Sequence, residues 1–528
     1  MRIESERLVS LNPATLEPVG SVALTDPADL PGRVRQARSA FPAWREAGLD
    51  ARIRIIRRAE ELLCAQAEEI ARLITLEMGR PFAEAFTTEV EASIDLLYYY
   101  WKHAHKFLRD RRVPLHSVFF KTRKSFIHFQ ALGVVANITP WNWPLLIPLG
   151  VIVPALLAGN AVLFKPSEYT PLVGEKIREV FIRAGVPEDI LINVHGGAEA
   201  GRAASASGVE KVFFTGSTAV GQAVMAQAAA LLTKVVLELG GNDPAVVLDD
   251  ADVEIASSGI LWGGFNNCGQ NCNAVERVFV HRRIYDRFVS RLVEKSGCLR
   301  IGDGMDSGTD IGPLATGAQR DKINRIVRAA RNSGMDILAG GNTLPDKKGN
   351  FFTPTLITCE GNGDVIPDEE VFGPILYLKP VRDDDEAVRL ANASQFGLAA
   401  SVWTSNLRRG ERIARQLESG TVMINDAVVS FGMTEAGWTG IKKSGVGWMH
   451  GEKGLDEMVN MQYINADPLF HTQKMWWFPY SEKMVAAIRA GLVFLFSRNI
   501  LKQAAAVPAV LKHFTGYLVL NRPKRDKL

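Results

Sequence analysis

Ala131-Leu132-Gly133-Val134-Val135-Ala136-Asn137 is a short apolar run without charge, the kind that forms a strand buried on both faces of a parallel sheet. The chain beyond it alternates. Ala161–Phe164 reads as a strand, Leu172–Arg183 as a helix, Ile190–Val194 and Val212–Phe214 as strands, and Gly216–Leu231 as a helix. Regular alternation of this type predicts an α/β fold with a doubly wound sheet. A second series of the same kind runs from Pro244 to about Ile424. Ahead of both, residues 27–115 read mostly as helices. There Ala51 to Gly79 alternates apolar and charged positions at helical spacing and stops at Gly79 and Pro81. From about Phe119 to Gln130 the pattern is strand-like, and no internal repeat is present.

A chain of 528 residues is longer than one hydrophobic core supports, so two or three domains are expected. With 47% hydrophobic residues, 23% charged residues and 46 glycines, it has the composition of a soluble globular enzyme, not of a disordered or fibrous protein. The five cysteines, at 64, 268, 272, 298 and 359, make no disulfide framework and suit a reducing cytoplasm. The first seven residues, Met1 to Arg7, carry mixed charge and no apolar core segment, unlike a signal peptide. The net charge of +3 hides an asymmetry. Residues 468–528 hold ten Lys and Arg against two acids, Glu482 and Asp526, so the tail carries +8 and the rest −5.

That tail opens with Met475-Trp476-Trp477-Phe478-Pro479-Tyr480 and runs on through Met484–Ser497, where Arg489 is the only charge. A second apolar stretch, Ala504–Leu511, is broken by Pro508, and Tyr517–Leu520 follows. The cleanest run falls short of the ~18–20 residues a helix needs to span a bilayer. Aromatic residues at one edge, apolar stretches and flanking Lys and Arg suit an element lying on an anionic membrane surface. An oligomer-packing helix is the alternative, and the aliphatic spacing of the basic residues argues against nucleic acid.

Chemistry concentrates in a few glycine-flanked turns. Cys272 sits in Gly269-Gln270-Asn271-Cys272, and Glu238 lies upstream in Glu238-Leu239-Gly240-Gly241-Asn242. A thiol and a carboxylate brought face to face at a cleft supply a nucleophile and a base for activating water. A buried structural cysteine is the plain alternative, and Cys268 shares the same context. Phe214-Thr215-Gly216-Ser217-Thr218-Ala219-Val220-Gly221 follows a strand and opens a helix, whose N-terminus offers N–H groups to a phosphate. Its G-x₄-G spacing is neither the dinucleotide fingerprint nor a P-loop, and an ordinary strand–helix turn fits as well. Lys165-Pro166-Ser167-Glu168 closes a strand where open sheets bind ligands; it could grip ribose hydroxyls or be a solvated turn. Pro140-Trp141-Asn142-Trp143-Pro144 is a stiff segment bearing one amide, a donor suited to an oxyanion hole or simply a structural turn.

Taken together, Pro140–Pro144, Lys165–Glu168, Phe214–Gly221, Glu238–Gly241, Gly269–Cys272, Glu370–Pro374 and Gly440–Gly445 are ordered and spaced as in the aldehyde dehydrogenase superfamily. The resemblance covers roughly residues 10–467 and is to the hydrolytic, NAD(P)-dependent type. It implies that Cys272 attacks an aldehyde to give a thiohemiacetal, held by the Asn142 amide and the Cys272 N–H. Hydride passes to the nicotinamide, and Glu238 activates the water that releases a carboxylate. Lys165 and Glu168 would hold the adenosine ribose, Ser217 the pyrophosphate and Glu370 the nicotinamide ribose, with Phe372 near that ring. The other cofactor positions implied are Ile138, Thr139, Pro140, Trp141, Ser167, Gly216, Leu239 and Gly240. A carboxylate at Glu168 repels a 2′-phosphate, so NAD is favoured, with NADP possible.

The same resemblance implies an NAD-binding domain from residues 1–118 and 133–240, a catalytic domain over 241–430, an oligomerisation element from 119–132 and 446–467, and an extension over 468–528. A homodimer or dimer of dimers is implied. Positions implied to line the substrate tunnel are Trp143, Ile147, Asn271, Asn273 and Trp438, an aromatic and apolar set without an obvious Arg or Lys to anchor a carboxylate. The expected substrate is therefore a hydrophobic or long-chain aldehyde. The basic, apolar tail would hold the enzyme at the inner face of a membrane, as in the membrane-bound fatty aldehyde dehydrogenases it resembles. A soluble semialdehyde or aromatic-aldehyde dehydrogenase is the alternative. The chain departs from the family pattern at Gly437-Trp438-Thr439-Gly440, where Pro-aromatic-Gly-Gly is usual, and at Trp448, where arginine is common.

Overall fold

Five parallel strands form the first sheet, in the spatial order Leu191–Asn193, Ala161–Lys165, Val134–Ile138, Lys211–Thr215 and Lys234–Glu238. The short strand Gly445–Val446 closes the Lys234–Glu238 edge antiparallel. Chain order reverses at Val134–Ile138, so the ligand crevice of this topology opens beyond the carboxyl ends of Val134–Ile138 and Lys211–Thr215. Val134–Ile138 and Ala161–Lys165 are buried along their whole length, as uncharged runs between covering helices should be. The helix Leu146–Ala158 is buried at every position and apolar all round, and it ends at Gly159 with φ 92°.

The second sheet has seven strands, in the order Asp336–Ala339, Thr355–Thr358, Ile375–Val381, Val275–His281, Asp243–Val247, Ala399–Trp403 and Thr421–Ile424, all parallel except the first. The computed structural model describes residues 2–117, 120–360, 366–468, 474 and 476–520. Residues 118, 119, 469–473, 475 and 521–528 lie outside the described residues, as do the side chains of 513–520.

Two expectations need correction. The helical stretch from Ala51 to Gly79 is two helices, Leu49–Ala65 and Ala67–Met78, because Gln66 leaves the helical region at φ −112°, ψ 14°. Gly79 does end the second, as a left-handed cap at φ 84°. Pro508 does not break the tail: it lies inside one helix, Ile500–Leu520. A proline removes one i→i−4 bond, and the carbonyl it orphans, that of exposed Ala504, can turn to water. The sequence reading also missed an antiparallel sheet of Arg2–Glu4, Arg7–Leu11 and Pro18–Ala23.

The described residues of Asp110–His128 and of Met461 onward form a compact unit of their own. Here Arg123 donates to the Asn465 side chain at 2.7 Å and pairs with Asp467 at 3.2 Å, while Trp476 sits edge-on to Phe120. The tail itself is a helical hairpin of Glu482–Phe496 and Ile500–Leu520, its first helix capped by Ser481. No helix among the described residues is long and apolar enough to cross a membrane.

Candidate active site

The turns that follow three strand ends converge with two segments of the second sheet on a cavity of about 250 Å³. Pro140, Trp141 and Asn142 come from the loop after Val134–Ile138, Thr215, Gly216 and Ser217 from the end of Lys211–Thr215, and Glu238, Leu239 and Gly240 from the end of Lys234–Glu238. Cys272, Glu370 and Phe372 enter from the second sheet, and Ile147 from the buried helix. The crevice expected from strand order is thus where the candidate residues gather.

Cys272 opens partly onto this cavity, whereas Cys268 is buried in the second core with a left-handed backbone, φ 56°. Burial, with Glu370, Asp243 and Glu238 nearby, pushes the Cys272 thiol well above its ordinary range, and the Asn273 N–H opposes this only in part. Gly241 must be glycine, since a Cβ there would overlap the Cys272 carbonyl. Glu238 is buried. Its Oε2 accepts from the Trp438 indole N–H at 2.9 Å, and its Oε1 has no partner. Burial raises its pKa well above the carboxylate range, against the smaller pull of that N–H.

Asn142 is held from several sides. Its Nδ2 donates to the Gln270 carbonyl at 3.0 Å, which leaves a second N–H for a ligand. Its own carbonyl accepts from Arg80 at 2.9 Å and from Asn267 at 3.1 Å. Arg80 is fully buried, lies over the Trp143 ring at 4.1 Å and pairs with Glu84 at 3.4 Å and Glu89 at 3.8 Å. Glu84 in turn accepts from the Asn267 N–H, so one buried network spans both walls.

On the other side, Glu370 packs against the Gly240 turn, where a Cβ would lie 2.6 Å from its Oε2. Its pKa rises to about 7 through burial, with Lys322 opposing. Phe372 has a left-handed φ of 55°, and Glu276 holds that turn by accepting from the Val371 N–H at 3.0 Å and the Phe372 N–H at 2.9 Å. Trp141 meets Phe372 edge-on at 5.5 Å.

Of the cofactor positions, Pro140, Trp141, Gly216, Ser217, Leu239, Gly240, Glu370 and Phe372 line the cavity, while Ile138, Thr139, Lys165, Ser167 and Glu168 do not. Lys165 and Glu168 pair at 3.0 Å beyond the neighbouring strand, whose Lys165 carbonyl accepts from the Thr139 N–H. The set fits a dinucleotide: glycine-lined turns, a helix starting at Thr218, and a lysine–glutamate pair on the adjacent strand end. Of the tunnel positions only Ile147 lines the cavity. Trp143 caps Arg80, Asn271 donates to Asn266 and Asn273 to the Val428 carbonyl. Sequence reading missed Gln319 and Lys322, which line the cavity from the helix Gly317–Asn332, and Lys322 donates to the Glu370 carbonyl at 2.8 Å.

Residues 2–464 match the Aldehyde dehydrogenase family. The chain belongs to the aldehyde dehydrogenase family, oxidoreductases that act on aldehydes. It is 37% identical over 455 residues to a mitochondrial succinate-semialdehyde dehydrogenase of Arabidopsis thaliana, covering 86% of this chain and 85% of that one. It is 34% identical to betaine aldehyde dehydrogenase 1 of Rhizobium meliloti, over 87% of this chain and 94% of that one. An NAD+ complex of a Bacillus cereus aldehyde dehydrogenase superposes with TM-score 0.83 at 34% identity, covering 88% of this chain and 93% of that one. Against the family pattern the two departures of this aldehyde dehydrogenase pair up in space. A Cβ at Gly437 would lie 3.1 Å from the Trp448 ring, so a bare glycine stands where the tryptophan packs.

Proposed function

We propose that the chain oxidises an aldehyde to its carboxylate with NAD, using Cys272 as nucleophile and Glu238 as the base that activates water. The observation that carries this is one cavity shared by Cys272, Asn142 and Glu238, with the Glu238 Oε1 left without a protein partner. The sulfur adds to the carbonyl carbon, and the alkoxide that forms is stabilised by the Asn142 Nδ2 and the Cys272 N–H. Bound NAD supplies the hydride acceptor. Glu238 then takes a proton from water, whose oxygen attacks the thioester carbon as the carbon–sulfur bond breaks.

Lys165, Ser167 and Glu168 hold the adenosine end, Gly216 and Ser217 the diphosphate, and Glu370 and Phe372 the nicotinamide end, with Ile138 and Thr139 also on the cofactor's path. Because the Glu168 carboxylate repels a 2′-phosphate, Glu168→Gln raises the NADP-to-NAD ratio of kcat/KM about tenfold, equivalent to ~1.4 kcal/mol. Initial rates with both cofactors check this. An unchanged ratio places cofactor choice elsewhere.

For the substrate, the relatives' names support a small semialdehyde or other polar-ended aldehyde; in this reading, which also admits an aromatic aldehyde, the tail packs in a homo-oligomer. Lys322 is the single cation among the described lining residues and is engaged with Glu370, which disfavours a substrate bearing a carboxylate. A second reading, an apolar long-chain aldehyde taken at the inner face of an anionic membrane, is favoured by the tail. Its hairpin is inside out. Small Ala487, Gly491 and Ala506 are buried, whereas Phe496, Ile500 and Leu501 at the turn are 67%, 78% and 79% exposed beside Arg498 and Lys502. Rates across an aldehyde series, for the full chain and for one ending at Asp467, separate the two. Short polar or aromatic aldehydes are expected to lead in both forms. A rise in kcat/KM with chain length that is lost on truncation, together with sedimentation of the full chain alone on phosphatidylglycerol vesicles, selects the second reading.

A further inference from the structure

We propose that Trp438 is a positioning residue for hydrolysis, whose indole N–H holds Glu238 in the rotamer and ionisation state that the thioester-cleaving step requires. This rests on Glu238 being the base.

The indole nitrogen donates and cannot accept, and the Glu238 Oε2 at 2.9 Å is its partner. The ring cannot drift. The Trp438 N–H donates to the Met449 carbonyl at 2.7 Å and the Met449 N–H donates back at 2.8 Å, locking the backbone as an isolated bridge. Phe431 meets the indole edge-on at 5.2 Å and 88°, and His450 packs behind Phe431 at 4.4 Å. A donor fixed in this way on one carboxylate oxygen has two consequences. It favours the charged carboxylate where burial disfavours it, and it leaves Oε1, which has no protein partner, as the oxygen free to accept from water.

The titratable groups around Glu238 are few. Cys272, Glu370 and Lys322 line the same cavity, and Asp243 acts on the Cys272 sulfur. His450 is fully buried, and burial lowers its pKa to about 4, so it is neutral at pH 7. None of these donates to Glu238, so the indole supplies the hydrogen bond that offsets its burial.

Trp438→Phe keeps an aromatic ring and removes the N–H. A second substitution, benzothienylalanine at position 438, keeps the bicyclic shape and replaces only the N–H with sulfur, which covers the case in which the phenylalanine variant folds poorly. The probe is p-nitrophenyl acetate without cofactor. The Cys272 sulfur bonds to the acetyl carbon, p-nitrophenolate leaves, and the thiol proton goes to solvent. Water, deprotonated by Glu238, then displaces the thiolate and releases acetate. Both variants are expected to release one p-nitrophenolate per site in a burst, followed by steady turnover about 10–100-fold slower than wild type. The sign of the pH effect follows from the base. Without the donor the carboxylate ionises at higher pH, so the deacylation profile moves to the alkaline side, and activity is partly restored as pH rises. A raised KM or a lowered Tm, with the wild-type deacylation rate and profile retained, overturns the proposal. So does an effect in the phenylalanine variant that is absent in the benzothienyl one. Should Glu238→Gln also deacylate at the wild-type rate, the reading of Glu238 as base fails instead.

Discussion

Cys272→Ala is expected to abolish aldehyde-dependent NADH formation, by a factor on the order of 10⁴ or more, while Cys268→Ala retains it. The two residues share a glycine-rich segment, and geometry separates them. Cys272 opens onto the cavity with Glu238, whereas Cys268 packs in the second core next to the Glu84 carboxylate. Removing the Cys268 sulfur therefore costs packing, about 1–2 kcal/mol of stability, with kcat largely kept. A pH experiment adds a second, independent check. Thiolate is the alkylated form, and burial with three carboxylates nearby holds the Cys272 thiol protonated at neutral pH in the free enzyme. Iodoacetamide labelling of the Cys272 peptide should therefore accelerate steadily from pH 7 to 9 without levelling off. An active Cys272→Ala enzyme, or a labelling rate already flat at pH 7, removes Cys272 from its proposed role.

What could be read from the sequence follows from how local each signal is. Val134–Ile138, Ala161–Lys165 and Lys211–Thr215 are apolar strands bounded by Gly, Asn and Pro, and nothing beyond their own residues is needed to see them. The doubly wound sheet followed from their alternation with helices. The N-terminal sheet was missed because Arg2–Glu4 is exposed and Pro18–Ala23 mostly half-buried, so neither shows a clean two-residue period. The helix break at Gln66 has no Gly or Pro to announce it, since Gln is a good helix former overruled by packing.

The site divides in the same manner. Glycine turns at strand ends were visible as motifs. The Trp438 N–H reaching Glu238, the Arg80 guanidinium on the Asn142 carbonyl and the Lys322 ammonium on the Glu370 carbonyl join positions far apart in the chain. Lys322 in particular lies on an amphipathic helix whose charges look like an ordinary solvated face. One sequence carries no pairing information for such contacts; only the folded backbone supplies it.

Glu238→Gln tests the second half of the reaction. The amide oxygen still accepts the Trp438 N–H, so the site keeps its shape while losing the base. Acyl transfer to Cys272 needs no carboxylate, so the variant is expected to form one NADH per active site in the first turnover. Steady turnover should then fall about 10²–10⁴-fold, the range lost with a general base. The pH profile sharpens this. In the wild type burial raises the Glu238 pKa, so deacylation speeds up as pH rises and the carboxylate ionises; the glutamine has nothing to titrate, and its residual rate should lose that dependence. Rapid mixing separates the burst from the steady rate, and trapping with hydroxylamine counts the acylated sites. A variant that turns over at more than about half the wild-type rate, or that gives neither burst nor trapped acyl group, would place water activation on another residue. Within the cavity the alternatives are few. Glu370 shares the cavity, but its carboxylate is folded against Gly240 and Gly241, the Gly241 N–H donating to it at 3.4 Å, and Lys322 holds its backbone. For it to replace Glu238 it would have to leave that turn, whereas Glu238 already has an oxygen, Oε1, without a protein partner and able to accept from water.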